Sequence, residues 1–471
     1  MSKLEINETP APRLTQSKNE EASNRDLFSI RRENRQLSAG YFSPFNFGLM
    51  AMAFIILVAA QTNPRIEFWL IPLLIICSLQ GVFYWIGLFL HISKPTQTEA
   101  VVKLPDDQLP AITLLIPLFN EANMMPQIHA MLCRLDYPTD RMQILVLSEM
   151  QDTSTRDAFL SLKWPQHISL FVIPIGAPQT KARACNFGLA NARGSIIGVI
   201  DAEDWPHPEQ LREVANGFHM APASCACLQA PLVIKPENNK LIQSLFALEY
   251  HILFRFLLPT WIALGAPTPL SGSANFFRTS VLKKVGGWDK YNLTEDADIG
   301  IRFSRLGYSV GMLVTPSIEN APRNVRDWFW QRTRWSTGHF QTLMVHIRQP
   351  LNLFGEIGLI SSVLFLASFG ARVVTSIAGL VLISALAITE TNMLAYLLYE
   401  PIGQLSLFAY SGRVACYIAI GILDVPFVSR TCIILLPFYW LLQIPPAILG
   451  ITLATCRHFK WHKTPHEPYT P

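Results

Sequence analysis

Three carboxylates follow one apolar run of the central region, where residues 196–200 are succeeded by Asp201-Ala-Glu203-Asp204. Helix capping does not explain Asp201, because Pro206 delays the next helical pattern. Carboxylates packed this closely repel one another unless a cation lies between them. Mg²⁺ and Mn²⁺ suit such oxygen ligands, and substrate phosphates complete their coordination. The pattern therefore predicts a metal–diphosphate site with Asp201, Glu203 and Asp204 as candidate metal ligands.

Polar residues also end two earlier apolar runs of the same region. The first run ends in Asn120-Glu121, and the second ends in Glu149, with Asp152 close behind. Helix capping is an alternative for Glu121 and Asp152, since both precede helical patterns. Asn120, Glu121 and Glu149 are nevertheless candidates for binding the ligand that carries the diphosphate, because ligands of such sheets bind beyond the strand ends.

Two further segments offer ligand contacts. Lys181 and Asn186 lie on a predicted helix, where they contact either a nucleotide and its sugar or only solvent. The small-residue loop that contains Gly272, Ser273 and Asn275 would let a ligand approach the backbone closely.

An acidic segment, Asn292 to Asp298, opens another helical pattern. A capping box explains Asn292 and Glu295, and acidic first turns are common. It does not explain Asp296 and Asp298, so one of these is a candidate general base.

An aromatic and basic helix contains Gln331, Arg332, Arg334 and Trp335. Such a helix is typical of a membrane interface, with aromatic side chains at the headgroup level. Gln331 and Arg334 also recur three residues apart, so one face of the helix could present donors to a diphosphate.

Alternating strand and helix patterns predict that an α/β domain positions these groups. The predicted strands are 112–117, 144–148, 169–175 and 195–202, and the predicted helices are 123–135, 153–162, 179–192, 208–218, 238–258 and 295–307.

Only 15% of all residues are charged, and two charge-poor blocks flank this domain. Residues 47–92 carry two charged side chains and residues 355–456 carry seven. Their apolar stretches, near 47–62, 68–91, 357–388, 405–425 and 431–454, approach the ~20 residues that a helix needs to cross a bilayer. Basic residues in the tail place it and the central domain in the cytoplasm. We therefore predict five regions: a disordered tail (1–46), two spans (47–92), the catalytic domain with its interfacial helix (93–350), three to four spans (351–456) and a cytoplasmic tail (457–471).

Composition also excludes some classes of protein. A formal charge of +4 is too small to indicate a nucleic-acid partner. The eight cysteines show no CxxC and no regular spacing, which disfavours a disulfide framework or a zinc site.

In order, the motifs resemble those of membrane-embedded family 2 glycosyltransferases, the cellulose-synthase-like and hyaluronan-synthase-like enzymes. The resemblance covers about residues 105–350 and is carried by Pro117-x-x-Asn120-Glu121, Lys181-Ala-x-Ala-x-Asn186, Asp201-x-Glu203-Asp204, Thr294-Glu295-Asp296 and Gln331-x-x-Arg334-Trp335. Within the family it looks closest to bacterial inner-membrane enzymes that make exopolysaccharide or glucomannan-type β-glycans.

The resemblance implies a GT-A-type fold between transmembrane helices, a nucleotide-sugar donor (UDP-linked), Mg²⁺ or Mn²⁺, and inversion at the anomeric carbon. It assigns metal and diphosphate to Asp201 with Glu203 or Asp204, and the base to Asp296, with Glu295 beside it. Diphosphate contacts fall to Gln331, Arg332 and Arg334, and acceptor contacts to Trp335, Ser273 and Asn275. Glu149 stands near the nucleobase position, and Lys181 lies in the donor loop. Many relatives have Asp-Asp where this chain reads Ser148-Glu149, and Asp where it has Glu203.

Three functional hypotheses follow. The leading one is a processive synthase of the bacterial inner membrane that elongates and exports a β-glycan, with envelope export proteins as candidate partners. The alternative is single addition of a sugar to a lipid, and a third is a non-catalytic membrane scaffold.

Overall fold

The computed structural model describes residues 38–40, 43–46, 48, 50–51, 66–93, 103–236, 241–370, 395, 398–423 and 430–456. Predictions for the other residues, including most of the first span and the tail at 457–471, lie outside the described residues.

Ten strands form two sheets in the part of the chain that the structure describes. In chain order they are β1 (Ile112–Leu118), β2 (Met142–Glu149), β3 (Ile168–Ile173), β4 (Ile196–Val199), β5 (Trp205–Pro206), β6 (Cys225–Gln229), β7 (Leu232–Lys235), β8 (Asn275–Arg278), β9 (Ser309–Met312) and β10 (Ser317–Asn320).

The helices begin before the sheet and continue beyond it. In chain order they are α1 (Ile66–Ser93), α2 (Met125–Cys133), α3 (Thr153–Leu160), α4 (Lys181–Asn191), α5 (Gln210–Met220), α6 (Leu241–Ala263, with a π-helical turn at Leu253–Leu257), α7 (Thr279–Lys284), α8 (Glu295–Arg305), α9 (Val325–His346), α10 (Pro350–Gly370, ending in a π-helical turn), α11 (Pro401–Leu423), α12 (Arg430–Ile434), α13 (Leu436–Leu442) and α14 (Ile444–Thr455).

The larger sheet has seven strands in the order β3-β2-β1-β4-β8-β6-β9. Strands β1 to β4 are parallel, whereas β8 runs antiparallel to both β4 and β6. The four predicted strands correspond to β1–β4, and their residues are mostly buried on both faces. Strand order reverses direction between β1 and β4, which is where α/β sheets bind ligands at their carboxyl ends. Asn120 and Asp201 follow these two strands.

Glycines allow the sheet and its helices to approach closely. A Cβ atom at Gly188 of α4 would lie 2.6 Å from Leu115 Cδ2, and one at Gly198 of β4 would lie 2.7 Å from Leu114 Cδ2. Contacts this short exclude a side chain, so α4 lies directly on β1. This packing fixes the position of Lys181, the first residue of α4.

A second sheet of three short strands, β5-β10-β7, was not predicted. Its strands have two to four residues, which is too short for an alternating pattern to be recognised in the sequence.

Three helices within the described residues are long and apolar enough to cross a membrane: α6, α10 and the α13–α14 segment Leu436–Thr455. Helix α6 was predicted as part of the central domain, and its span-like window is 67% buried against protein. Helix α1 covers the predicted span 68–91, and α11 covers 405–423 of another.

Helix α9 is packed tightly between the catalytic domain and α14. A Cβ atom at Gly338 would lie 2.5 Å from Thr294 N, just before α8, and one at Gly450 of α14 would lie 2.7 Å from Thr333 O. The backbones are therefore in contact on both sides of α9.

The last residues of the predicted disordered tail are bound to the catalytic domain. Ala39 N donates to Asp289 Oδ2 at 2.6 Å, and Asn46 Nδ2 donates to Met344 O at 2.9 Å. Described residues within the predicted tail thus contact the catalytic domain.

Candidate active site

Three predicted site residues converge at Gly272. A Cβ atom there would lie 3.3 Å from Asp296 Oδ2 and 3.9 Å from both Asp201 Oδ2 and Lys181 Nζ. Lys181 Nζ donates to Asp201 Oδ2 at 2.6 Å and to Gly272 O at 2.5 Å. The candidate base, a candidate metal ligand and a cation therefore lie within 4 Å of one Cβ position at Gly272.

The negative charges in this cluster keep Lys181 protonated. Burial alone would lower the pKa of Lys181, but the charges of Asp201 and Glu295 outweigh it and raise that pKa. Lys181 is therefore a permanent cation that partly neutralises the carboxylates around it.

Asp204 is fully buried and holds the loop after β4. Its Oδ2 accepts hydrogen bonds from Asp201 N (2.9 Å) and from Ser273 Oγ. Burial and the charges of Asp201, Glu319 and Glu203 raise the pKa of Asp204 well above its usual range. Asp204 therefore shapes the loop that carries Asp201 and Glu203.

Ser273 and Asn275, predicted to bind the acceptor, are buried. Ser273 Oγ also accepts from Asp201 N at 3.0 Å, and Asn275 Nδ2 donates to Ser271 O. The structure thus gives both side chains roles in holding the loop around Gly272.

The end of β1 is held by Asp152. Asn120 has a φ of 53°, and its N–H donates to Asp152 Oδ2 at 2.5 Å. Asp152 also caps α3, because its side chain accepts from Thr155 N, as the capping alternative predicted. Glu121 is buried and does not cap the turn that follows it through its side chain.

Glu149, assigned to the nucleobase, is paired with a residue that the sequence did not single out. Arg183 Nη1 lies 3.1 Å and 3.0 Å from the two carboxylate oxygens of Glu149, and both side chains are buried. Burial raises the pKa of Glu149, while Arg183 opposes the shift. Glu149 ends β2 and Arg183 is the third residue of α4, so the two are far apart in the sequence. No sequence motif predicts that such residues form a pair.

Asn186 contacts the loop before α8. Its Nδ2 donates to Trp288 O at 2.7 Å and its Oδ1 accepts from Trp288 N at 2.9 Å. Gly287, with a φ of +68°, lies so close that a Cβ atom would be 2.3 Å from Asn186 Oδ1. The nucleotide contact considered for Asn186 is thus replaced by a loop-positioning role.

The candidate base lies at the start of α8. The predicted capping box does not form, because the helix begins at Glu295 and Asn292 Oδ1 instead accepts from Thr294 N at 3.0 Å. Burial raises the pKa of Asp296, while the N–H of Ala297 and the charges of Lys181 and Arg334 oppose it. Burial and the charge of Asp296 raise the pKa of Glu295 to about 7.

Asp298, the other candidate base, is committed elsewhere. It is fully buried, ion-paired with Arg302 at 2.7 Å, and its Oδ1 lies 3.0 Å from His346 Nε2. Burial alone would raise the pKa of Asp298, but Arg302 and His346 lower it. His346 Nδ1 faces Arg305 Nη1, which only donates, so Nε2 carries the proton that Asp298 accepts. The choice between Asp296 and Asp298 therefore falls on Asp296.

Gln331 and Arg334 offer polar atoms to a ligand. Gln331 Oε1 and Arg334 Nε are buried, and neither has a hydrogen-bond partner in the part of the chain that the structure describes. Arg334 also acts electrostatically on Glu295 and Asp296, so it lies near the candidate base.

Arg332, also predicted to bind diphosphate, has a protein partner. Its Nη1 and Nη2 donate to Glu249 Oε1 and Oε2 at 2.8 Å and 2.6 Å. Trp335 is half-buried, and its ring centroid lies 6.0 Å from that of Phe246 and 6.1 Å from that of Tyr250.

A divalent cation fits the donor set around β4. Asp201 is partly exposed, and the pKa of Asp204 is raised by burial and, in addition, by the negative charges of Asp201, Glu319 and Glu203. Among the described residues no group of three His, Cys, Asp or Glu side chains is arranged to hold a metal. Few protein ligands suit Mg²⁺ or Mn²⁺ when substrate phosphates supply the others.

Residues 196–442, just over half of the chain, match the family described as Glycosyl transferase family group 2. A β-monoglucosyldiacylglycerol synthase of Synechocystis sp. is 27% identical over 399 residues, which cover 81% of each chain. A poly-β-1,6-N-acetyl-D-glucosamine synthase of Staphylococcus epidermidis is 23% identical over 273 residues, 55% of this chain and 63% of its own length.

The structure of a mannosyltransferase from Pyrobaculum calidifontis, in complex with GDP-Man and Mn²⁺, superposes with a TM-score of 0.50. Sequence identity is 18%, and the match covers 79% of this chain and 99% of the other. This similarity confirms the predicted fold class, an α/β glycosyltransferase domain of GT-A type with apolar helices.

Proposed function

Because the chain belongs to glycosyl transferase family group 2 and is a glycosyltransferase, we propose that it transfers a sugar from a nucleotide-sugar donor to a hydroxyl of a membrane lipid. The observation that carries this proposal is the convergence of Asp296, Asp201 and Lys181 at Gly272. Glycosyl transfer requires a base close to groups that can hold a diphosphate.

The donor binds at the switch between β1 and β4. A uridine diphosphate sugar is our proposed donor, with Mg²⁺ or Mn²⁺ held by Asp201 and Glu203. The cation, when bound, would offset charge that develops on the leaving diphosphate. The Mn²⁺ and GDP-Man of the Pyrobaculum mannosyltransferase support a metal and a nucleotide sugar, and leave the base and the sugar to experiment.

Asp296 acts as the base. Its carboxylate accepts the proton of the acceptor hydroxyl while that oxygen bonds to the anomeric carbon from the side opposite the diphosphate. The bond from the anomeric carbon to the diphosphate breaks, and the nucleoside diphosphate leaves with its electron pair. The anomeric configuration inverts. Lys181, Gln331 and Arg334 hold the leaving diphosphate in this proposal.

Two features support a lipid acceptor. The Synechocystis glycolipid synthase aligns over 399 residues, 81% of both chains, which is more than the predicted catalytic domain at 93–350 alone. In addition, α9 contacts the span-like helix α14 through Gly450, so Trp335 lies on a helix that adjoins a candidate membrane span. A lipid hydroxyl could therefore reach Asp296 from the membrane boundary.

Elongation of a β-glycan is the second candidate, because a staphylococcal polysaccharide synthase is 23% identical over 273 residues. In that case the polymer would cross the membrane with envelope export proteins as partners. The chain would reside in a bacterial inner membrane with its catalytic domain in the cytoplasm.

One assay separates the candidates. Purified protein in mixed micelles is incubated with diacylglycerol and radiolabelled UDP-glucose, UDP-N-acetylglucosamine or GDP-mannose, with Mn²⁺ or Mg²⁺. A monoglycosylated, lipid-soluble product supports the lipid acceptor, and ethanol-insoluble polymer supports elongation. The Asp296→Asn variant is the negative control. Full activity in excess chelator would contradict the metal, and no product with any donor would contradict the proposal.

A further inference from the structure

An ion pair between the buried Arg332 and the partly buried Glu249 lies next to Trp335 and joins three helices. Glu249 of α6 accepts two hydrogen bonds from Arg332 of α9, at 2.8 Å and 2.6 Å, and one from Tyr439 OH of α13, at 2.7 Å. Tyr439 OH in turn accepts from Arg332 Nη2 at 3.0 Å and from Trp328 Nε1 at 3.1 Å. We call Glu249, Arg332 and Tyr439 the clamp cluster.

Aromatic rings surround the guanidinium group of Arg332. It lies 4.7 Å from the ring centroid of Trp335, 5.2 Å from that of Phe246 and 5.7 Å from that of Trp328. Since the fork-to-fork bond with Glu249 fixes the plane of the guanidinium group, it also fixes the surface on which the indole of Trp335 lies.

Stability alone does not account for such a pair. Desolvating two charges costs about as much as their attraction returns, and apolar residues of similar volume often serve equally well. Buried ionic pairs are better explained where a neighbouring group needs one orientation. Trp335, to which the resemblance assigns acceptor contacts, is such a group.

The contacts of Arg332 also argue against the diphosphate role predicted for it. Both Nη atoms are used by Glu249, and the buried Nε faces no hydrogen-bond acceptor within the described residues. The clamp cluster therefore acts on the acceptor side of the site.

We propose that the clamp cluster positions the indole of Trp335 for the acceptor, so that Glu249, Arg332 and Tyr439 are positioning residues for acceptor binding. The inference rests on the proposed function. It adds that α6 and the membrane-adjacent helix α13 together set the orientation of a residue on α9.

The test compares acceptor transfer with donor hydrolysis. The double variant Arg332→Met/Glu249→Met leaves no unpaired buried charge, so it is the variant expected to fold. With diacylglycerol micelles and the donor that the wild type accepts, its acceptor KM should rise about tenfold, because a misplaced ring loses productive geometry. Hydrolysis of the donor without acceptor should change less than about twofold, since the donor side is untouched. An unchanged acceptor KM, or equal loss of both reactions, would overturn the inference.

Two further variants sharpen the result. Arg332→Lys keeps the charge but loses the planar fork, so we expect it to resemble the double variant, and wild-type behaviour would contradict orientation as the cause. Arg212→Met is the matched control, because Arg212 pairs with Asp106 and Asp136 in a more exposed cluster on α5. Its acceptor KM should equal that of the wild type.

If the wild-type protein glycosylates no diacylglycerol, the proposed function fails, and this result alone does not decide the role of the clamp cluster. The inference is then judged by near-ultraviolet circular dichroism. The signal of Trp335, obtained by subtracting the Trp335→Phe spectrum, should weaken in the double variant. A signal of wild-type size would overturn the clamp.

Discussion

Two carboxylates two residues apart on α8 have opposite environments. Asp296 faces Gly272 and the candidate donor site, while Asp298 is buried between Arg302 and His346. A helix places such residues on different sides, so neighbours in the sequence can serve chemistry and packing separately. The sequence predicts both as candidate bases, and only the residues that each contacts in the structure distinguish them.

Replacing Asp296 by asparagine should lower kcat by about 10² to 10⁴, the usual contribution of a general base. Donor binding should persist, because Asp201 and Lys181 are unchanged. Steady-state kinetics and donor titration by calorimetry measure the two effects. Retention of wild-type kcat would exclude Asp296 as the base.

Donor affinity should depend on pH through Glu295, whose pKa is raised to about 7 by burial and the charge of Asp296. Below that value Glu295 is neutral. As the pH rises through it, a second negative charge develops beside the diphosphate site, and the donor KM should rise about fivefold by simple Coulomb repulsion. In Glu295→Gln this rise should vanish, and a persisting rise would assign the titration to another group.

Individual residues also show what the sequence could predict. Motif order identified Asp201, Lys181 and Asp296, and the structure brings them together. Arg183 and Glu249 were missed, because their partners are 34 and 83 residues away and no local pattern reports such pairs. Ser273 and Arg332 were found but given ligands that the structure replaces with Asp204 and Glu249.

At the scale of elements, α4 links the donor site to the base. Its first residue, Lys181, binds Asp201, and Asn186 in its middle holds Trp288 in the loop that leads to α8. A movement of α4 would therefore displace both sides of the site together.

Asn186→Ala should destabilise the protein by about 1 to 3 kcal/mol, because it leaves the buried backbone N–H and C=O of Trp288 without partners. The shift in thermal unfolding midpoint measures the change. Asn191→Ala, on the same helix, is the control, since Asn191 makes one ordinary bond to Phe187 O and should cost less. Equal losses of stability in the two variants would show that the hydrogen bonds of Asn186 to the loop at Trp288 have no special role.

Long parallel strands and their helices were predictable, because continuous apolar runs alternate with helical patterns along the sequence. The antiparallel strand β8 and the sheet β5-β10-β7 were not, since strands of two to four residues gain their stability from distant partners. The same holds for α6, whose apolar length resembles a span although much of it packs against β7 and neighbouring helices.

At the scale of the whole molecule, the catalytic domain and the apolar helices form one packed unit. Helix α9 contacts α8 through Gly338 and α14 through Gly450, and Glu356 of α10 accepts from Arg305 of α8. The charge distribution of the sequence predicted the two kinds of region, but not their interlocking.

A catalytic domain on the cytoplasmic face should protect the exposed thiol of Cys133 from reagents outside the cell. In a variant with Cys133 as its single cysteine, a membrane-impermeant maleimide should label inverted vesicles and leave intact spheroplasts unlabelled. Cys133→Ala in the same background gives the blank. Labelling of intact spheroplasts would reverse the proposed orientation.

The contact at Gly450 has a practical consequence for protein production. A chain truncated after α9 would retain every residue proposed for chemistry, yet it would uncover the backbone of α9 at Thr333 and remove Tyr439 from Glu249. Such a fragment would expose apolar surface and a half-satisfied carboxylate to water. Expression of the catalytic domain without its apolar helices should therefore yield aggregated material, and detergent or nanodisc preparations are the appropriate starting point.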